Sequence, residues 1–74
     1  METIHVAQTF DWVSRHLKPG PVLQFKSADE AARRAALLAD KHAGIIAYSM
    51  DVDEESGDYG APRVLFQAGE VPEL

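Results

Sequence analysis

The chain has 74 residues, a formal net charge of −5 and no cysteine. A domain of this length buries only roughly 60% of its unfolded surface. Without cysteine it has no disulfide, thiolate metal site, iron–sulfur cluster or cysteine nucleophile. Hydrophobic residues at 46% and charged residues at 26% are the proportions of a globular domain and exclude whole-chain disorder.

No apolar run approaches the roughly 18 residues of a membrane span. The opening Met1–His5 has neither a basic n-region nor an apolar h-region, so a cytoplasmic location is the default expectation. Charge is uneven along the chain. Residues 49–74 hold seven of the twelve Asp/Glu and one of the seven Lys/Arg. Affinity for nucleic acid is largely electrostatic, so an acidic half argues against such a partner.

In chain order, the N-terminal segment reads first as a strand from about Thr3 to Gln8, extending towards Val13. Phe10, Val13 and Leu17 also have helical spacing, which leaves a short helix at 10–18 as the alternative. Lys18-Pro19-Gly20-Pro21 reads as a turn. Val22–Lys26 reads as a short strand. A helix follows from about Ala28 to Ala43. Ser27 caps it, Glu30 completes a capping box, and Asp29 and Glu30 sit at the positive end of the helix dipole. Asp29–Arg33 and Glu30–Arg34 have the spacing of ion pairs, and Gly44 sits where a left-handed terminating residue is wanted.

Ile45–Val52 and Arg63–Ala68 alternate as strands. The Gly-containing acidic loop between them makes an antiparallel hairpin the expectation. The expected fold is a single α+β domain over 1–74: a small, mainly antiparallel sheet of three to four strands with one principal helix on one face. The order is β-β-α-β-β, or β-α-β-α-β-β on the helical alternative. Ile4, Val6, Leu23, Phe25, Ile46, Tyr48, Met50, Val64 and Phe66 are the expected core beneath an alanine-rich helix face.

The chemistry-bearing motifs are sparse. Asp51-x-Asp53-x-Glu55 has the alternate spacing of a calcium loop, but its sixth position is Ser56 and its twelfth Pro62, where glycine and a bidentate glutamate are required. Asp51, Asp53, Glu55 and Asp58 therefore stand only as the alternative, the polar groups of a small enzyme or of a ligand- or metal-binding protein, beside the plainer reading of a solvated loop. His5, His16 and His42 lie in no catalytic motif. No serine sits in a nucleophile elbow, and no glycine loop has the pattern of a phosphate cradle. Arg33 and Arg34 are interleaved with Asp29 and Glu30, which reads as an ordinary charged helix face. No catalytic residue and no cofactor is expected.

The second face of the expected sheet is more suggestive. Val22, Ile45, Ala47 and Leu65 are too apolar for a face meant only for water, and Gln24 and Gln67 add polar contacts. Apolar patches of this kind mark interfaces. The sequence reading is thus a non-enzymatic module that binds itself, as a homodimer, or another protein through Val22, Gln24, Ile45, Ala47, Leu65 and Gln67, with strand addition at an unpaired sheet edge as a second route. Neither nucleic acid nor membrane is an expected partner.

Four stretches resemble a group of small bacterial hypothetical proteins: Phe25–Ala31, Gly44–Ser49, Gly57–Tyr59 and Val64–Pro72. That resemblance implies size and origin and carries no site residues. The architecture is also similar in style to ferredoxin-like and SPOR-like modules, a likeness of fold that does not license function.

Overall fold

The strand period that starts at the N-terminus runs unbroken through the region left open between strand and helix. In the computed structural model, which describes residues 2–72, β1 spans Glu2–Val13 and β2 spans His16–Phe25. They pair antiparallel, from His5 opposite Phe25 to Val13 opposite His16. Only Ser14 and Arg15 separate them, both with positive φ (49° and 70°). Positive φ at both central residues is the signature of the type I′ turn, whose twist matches that of the flanking strands.

The expected turn at Lys18–Pro21 is instead a bulge inside β2. The register slips between Gln8 and Phe10 of β1, which leaves Gly20 and Pro21 to face the single residue Thr9. Gly20 is suited to this place, because a Cβ there would come within 2.3 Å of the Thr9 hydroxyl.

Helix α1 spans Ala28–Leu38 and continues as a single 3-10 turn, Ala39–Lys41. Its N-cap is as expected, with the Ser27 hydroxyl accepting the Glu30 backbone N–H at 3.1 Å, but among the described residues the reciprocal Glu30 side-chain bond of a capping box is not formed. Its end is earlier than expected, and Gly44 is not its terminator. Gly44 opens β3, opposite Gly69. A Cβ on Gly44 would fall 1.8 Å from the Glu70 carbonyl oxygen, so this glycine serves a close backbone approach rather than a left-handed turn.

Strand β3 (Gly44–Asp53) is central. It pairs with β1 on one side and, on the other, with the two-residue β4 (Asp58–Tyr59) and with β5 (Arg63–Gly69). Every pairing is antiparallel. The sheet runs β2-β1-β3, with β4 and β5 sharing the outer side of β3. The result is a small α+β fold with one α-helix among the described residues. A ferredoxin-like β-α-β-β-α-β unit has two.

Directly opposed residues of an antiparallel pair share a face. Ala7 faces Ala47, Thr9 faces Ile45, and Phe66 faces Ala47 from the other side. This face meets the helix. Ala31 and Ala35 are buried against Ala7, Ile45 and Ala47, with Phe25, Leu38, Leu65, Phe66 and Ala68 packed around them. Phe25 and Phe66 are core as expected. The phase of β1 and β3 is the reverse of the expectation. Ile4, Val6, Ile46, Tyr48 and Met50 lie on the side away from α1, whereas Ile45 and Ala47 lie beneath it. Alanine on the central strands lets an alanine-faced helix approach closely, and the bulky side chains fill the flanks.

Candidate functional site

The face away from α1 follows from the same register. On β1 it presents Ile4, Val6, Gln8, Phe10 and Trp12. Opposite them β3 presents Ile46, Tyr48, Met50 and Val52, β2 presents Val22 and Gln24, and β5 presents Val64 and Gln67. Between the Ile4 and Phe10 levels this set contains no Asp, Glu, Lys or Arg. The charged strand residues Asp11, Lys18, Asp51 and Arg63 fall on the helix side. Beyond Ile4 the face turns acidic: Glu2 lies opposite Val52, and Asp53, Glu54 and Glu55 gather at the same end.

No helix covers this face, yet the middle of the curled sheet is dry. Val6, Phe10 and Ile46 are at most 4% exposed. Around them Ile4, Tyr48 and Met50 are half-buried, and the outer positions are open. Val22 is 52% exposed, Val64 55% and Trp12 57%. The arrangement is a buried apolar centre inside a rim of exposed apolar and amide side chains.

The sequence-predicted interface residues divide between the two faces. Val22, Gln24 and Gln67 are on the helix-free face. Ile45 and Ala47 are fully buried beneath the helix, and Leu65 is packed against that core. Those three do not belong to an open surface. The error is one residue of phase on β3, and a bulge on β5. The β3–β5 register slips between Ala47 and Tyr48, which leaves Leu65 as the extra residue.

Two of the loop's carboxylates, Asp51 and Asp53, have internal partners. Asp51 accepts hydrogen bonds from the Thr3 hydroxyl at 2.7 Å and from Arg63 at 3.4 Å. These contacts, Thr3 foremost, hold its carboxyl below the ordinary carboxylate value. Asp53 accepts from the Glu55 backbone N–H at 3.1 Å, and Ser56 accepts from that of Asp58 at 3.4 Å. Asp51 is thus held across strands and Asp53 within the turn, Glu55 and Asp58 take part through their backbone N–H groups, and Asp58 pairs with Asp53 across β3–β4. Among the described residues no group of three or more His, Cys, Asp or Glu side chains is placed to hold a metal ion.

Two histidines have structural partners. His5 Nδ1 and the Ser49 hydroxyl share a 2.6 Å hydrogen bond. Ser49 is 2% exposed, so the pair satisfies a buried hydroxyl rather than presenting a nucleophile. His42 Nδ1 lies 2.7 Å from Asp11, whose other oxygen accepts the Ala43 backbone N–H at 3.1 Å. This contact fastens the end of the helical segment to β1.

Sequence reasoning missed one surface. A groove of about 590 Å³ runs between β2 and α1, lined by Leu23, Gln24, Phe25, Glu30, Arg33, Arg34 and Leu37. The ion pairs expected to neutralise its arginines are absent. Arg33 reaches the backbone carbonyl of Asp29 at 3.4 Å, and among the described residues neither arginine has a carboxylate within ion-pair distance.

No protein-family model, curated protein or solved structure matches the chain.

Proposed function

We propose that the chain is a non-enzymatic assembly module whose helix-free sheet face joins a second copy of itself across a two-fold axis. The single observation that supports this is the charge partition. A chain of net charge −5 leaves one whole face of its sheet without a formal charge between Ile4 and Phe10. Apposing the Ile4–Phe10 stretch of that face on itself brings no like charges together. Gln8, Gln24 and Gln67 also suit a self-complementary contact, because an amide both donates and accepts. In a two-fold interface each residue meets its counterpart reciprocally.

The footprint is that of a small interface, and Val6, Phe10 and Ile46 at its centre are already at most 4% exposed. Four strands about 4.8 Å apart, with eight residues rising about 3.3 Å each, give a footprint of roughly 500 Å² before side-chain relief is counted. A standard interface takes about 800 Å² from each partner. A small core also gains from such an association.

Light scattering after size exclusion, across a protein dilution series, tests the reading. The expected mass is near twice 8.1 kDa at the concentrated end. Val22→Glu and Val64→Glu, at positions already half-exposed, each shift it to the monomer with the circular dichroism spectrum unchanged. Ile45→Glu, by contrast, unfolds the chain. A wild-type monomer at sub-millimolar concentration overturns the proposal, and so does a dimer that both glutamate variants leave intact.

A further inference from the structure

We infer that the groove between β2 and α1 receives an extended, acidic peptide segment of a protein partner, added as an extra strand along Val22–Phe25. This groove shares strand β2 and Gln24 with the helix-free face but opens on the helix side of the sheet, and the inference stands whether or not the chain self-associates.

Three observations converge on it. First, β2 ends the sheet, and no strand among the described residues pairs with its outer side. An unpaired edge offers a row of backbone donors and acceptors. The first half of this edge is blunted by Lys18, by the bulge at Gly20 and Pro21, and by two prolines that have no N–H to donate. Val22–Phe25 is the stretch left open, and its residues Leu23, Gln24 and Phe25 border the groove.

Second, the groove is apolar where an added strand's side chains would fall. Leu23 and Phe25 point to the helix side, opposite Ala7 and His5 in the register. Leu37 faces them from α1 and is 70% exposed, the most exposed large hydrophobic residue of those described. Alternate side chains of an added strand would enter the groove and cover Leu23 and Leu37, while its backbone bonded to β2.

Third, the charge selects the partner. Arg33 and Arg34 line the groove without a carboxylate partner, against Glu30 alone. In a chain of net charge −5 this is a local excess of cations. Guanidinium groups favour carboxylates, which they bind in a fixed fork geometry. A segment with leucine-like residues flanking an acidic one, all on the same side of the strand, fits this lining.

The probe is a capped heptapeptide, T-L-T-E-T-L-T, whose leucines and glutamate share one face when extended. It is titrated into the isotope-labelled full chain and followed by amide chemical shifts. The expected result is saturable shifts and slowed hydrogen exchange at Val22–Phe25, with further shifts at Arg33, Arg34 and Leu37. Replacing the peptide's glutamate with lysine weakens binding at least tenfold. The double variant Arg33→Glu, Arg34→Glu does the same while leaving the unliganded spectrum of the core intact. Methylating the peptide's backbone nitrogens along one edge, with a companion methylated along the other, abolishes binding for one of the pair. No shift at millimolar peptide overturns the inference. So does binding that ignores the charge reversals, binding by both methylated peptides, or shifts confined to the helix-free face.

Discussion

The contact between Asp11 and His42 joins residues 31 positions apart in sequence, and it has a definite pH signature. The Asp11 carboxyl is held below its ordinary value of 3.8, first by the hydrogen bond to His42 and next by the Ala43 backbone N–H. A carboxyl with a lowered folded-state pKa binds fewer protons when folded than when unfolded. Its contribution is therefore fully present above about 3.8 and is lost as pH falls through the lower, folded value. We expect Asp11→Ala to lower the denaturation midpoint at pH 6. The difference from wild type should shrink steadily as denaturation is repeated towards pH 3. A difference independent of pH would mean that packing, and not the carboxylate, carries the effect. This pair is invisible to sequence reasoning, because nothing local marks Asp11 and His42 as neighbours until β1 and the end of the helical segment are placed together.

At the scale of elements, the legible parts were those whose signals are local. The Ser27 hydroxyl marks the start of α1, and the acidic segment between two alternating runs marks the β3–β5 hairpin. The phase of β3 was not legible, because both of its sides are apolar. Ile45 and Ala47 alternate with Ile46, Tyr48 and Met50, and side-chain size alone favours burying the larger set. The deciding fact is tertiary: Ala31 and Ala35 need small partners, and Ala7 and Ala47 supply them. The β1–β2 hairpin was hidden for a different reason. Its turn uses Ser14 and Arg15 at positive φ, where Asn-Gly is the recognisable pair. That choice has an energetic consequence. A side-chain-bearing residue in the left-handed region costs about 1–2 kcal/mol, least for Asn and Gly. Ser14→Asn with Arg15→Gly should therefore stabilise the chain by about 1 kcal/mol. Urea denaturation would show a raised midpoint at constant slope; a lowered midpoint would show that the arginine side chain contributes more than its backbone conformation costs.

At the scale of the whole molecule, the sheet has two apolar faces and the described residues supply one α-helix. The helix covers Ala7, Ile45 and Ala47, while the side of Val6, Phe10 and Ile46 is closed only at its centre and leaves Val22 and Val64 half in water. The charge-free character of that second side is a statement about stability as well as about assembly. If folding and self-association are linked, native chains are drawn into dimers and unfolding becomes a bimolecular equilibrium. Its midpoint must then depend on concentration. Each tenfold dilution removes about 1.4 kcal/mol per dimer. For a folding unit of roughly 150 residues, the pair of chains, that lowers the melting temperature by about 3–6 °C. Calorimetry over two decades of concentration should show this drift for the wild type and none for Val64→Glu, whose melting point should match the wild type's at its most dilute. A wild-type melting temperature that stays fixed across the series would uncouple the helix-free face from the stability of the fold. Its apolar rim would then need an explanation outside self-assembly.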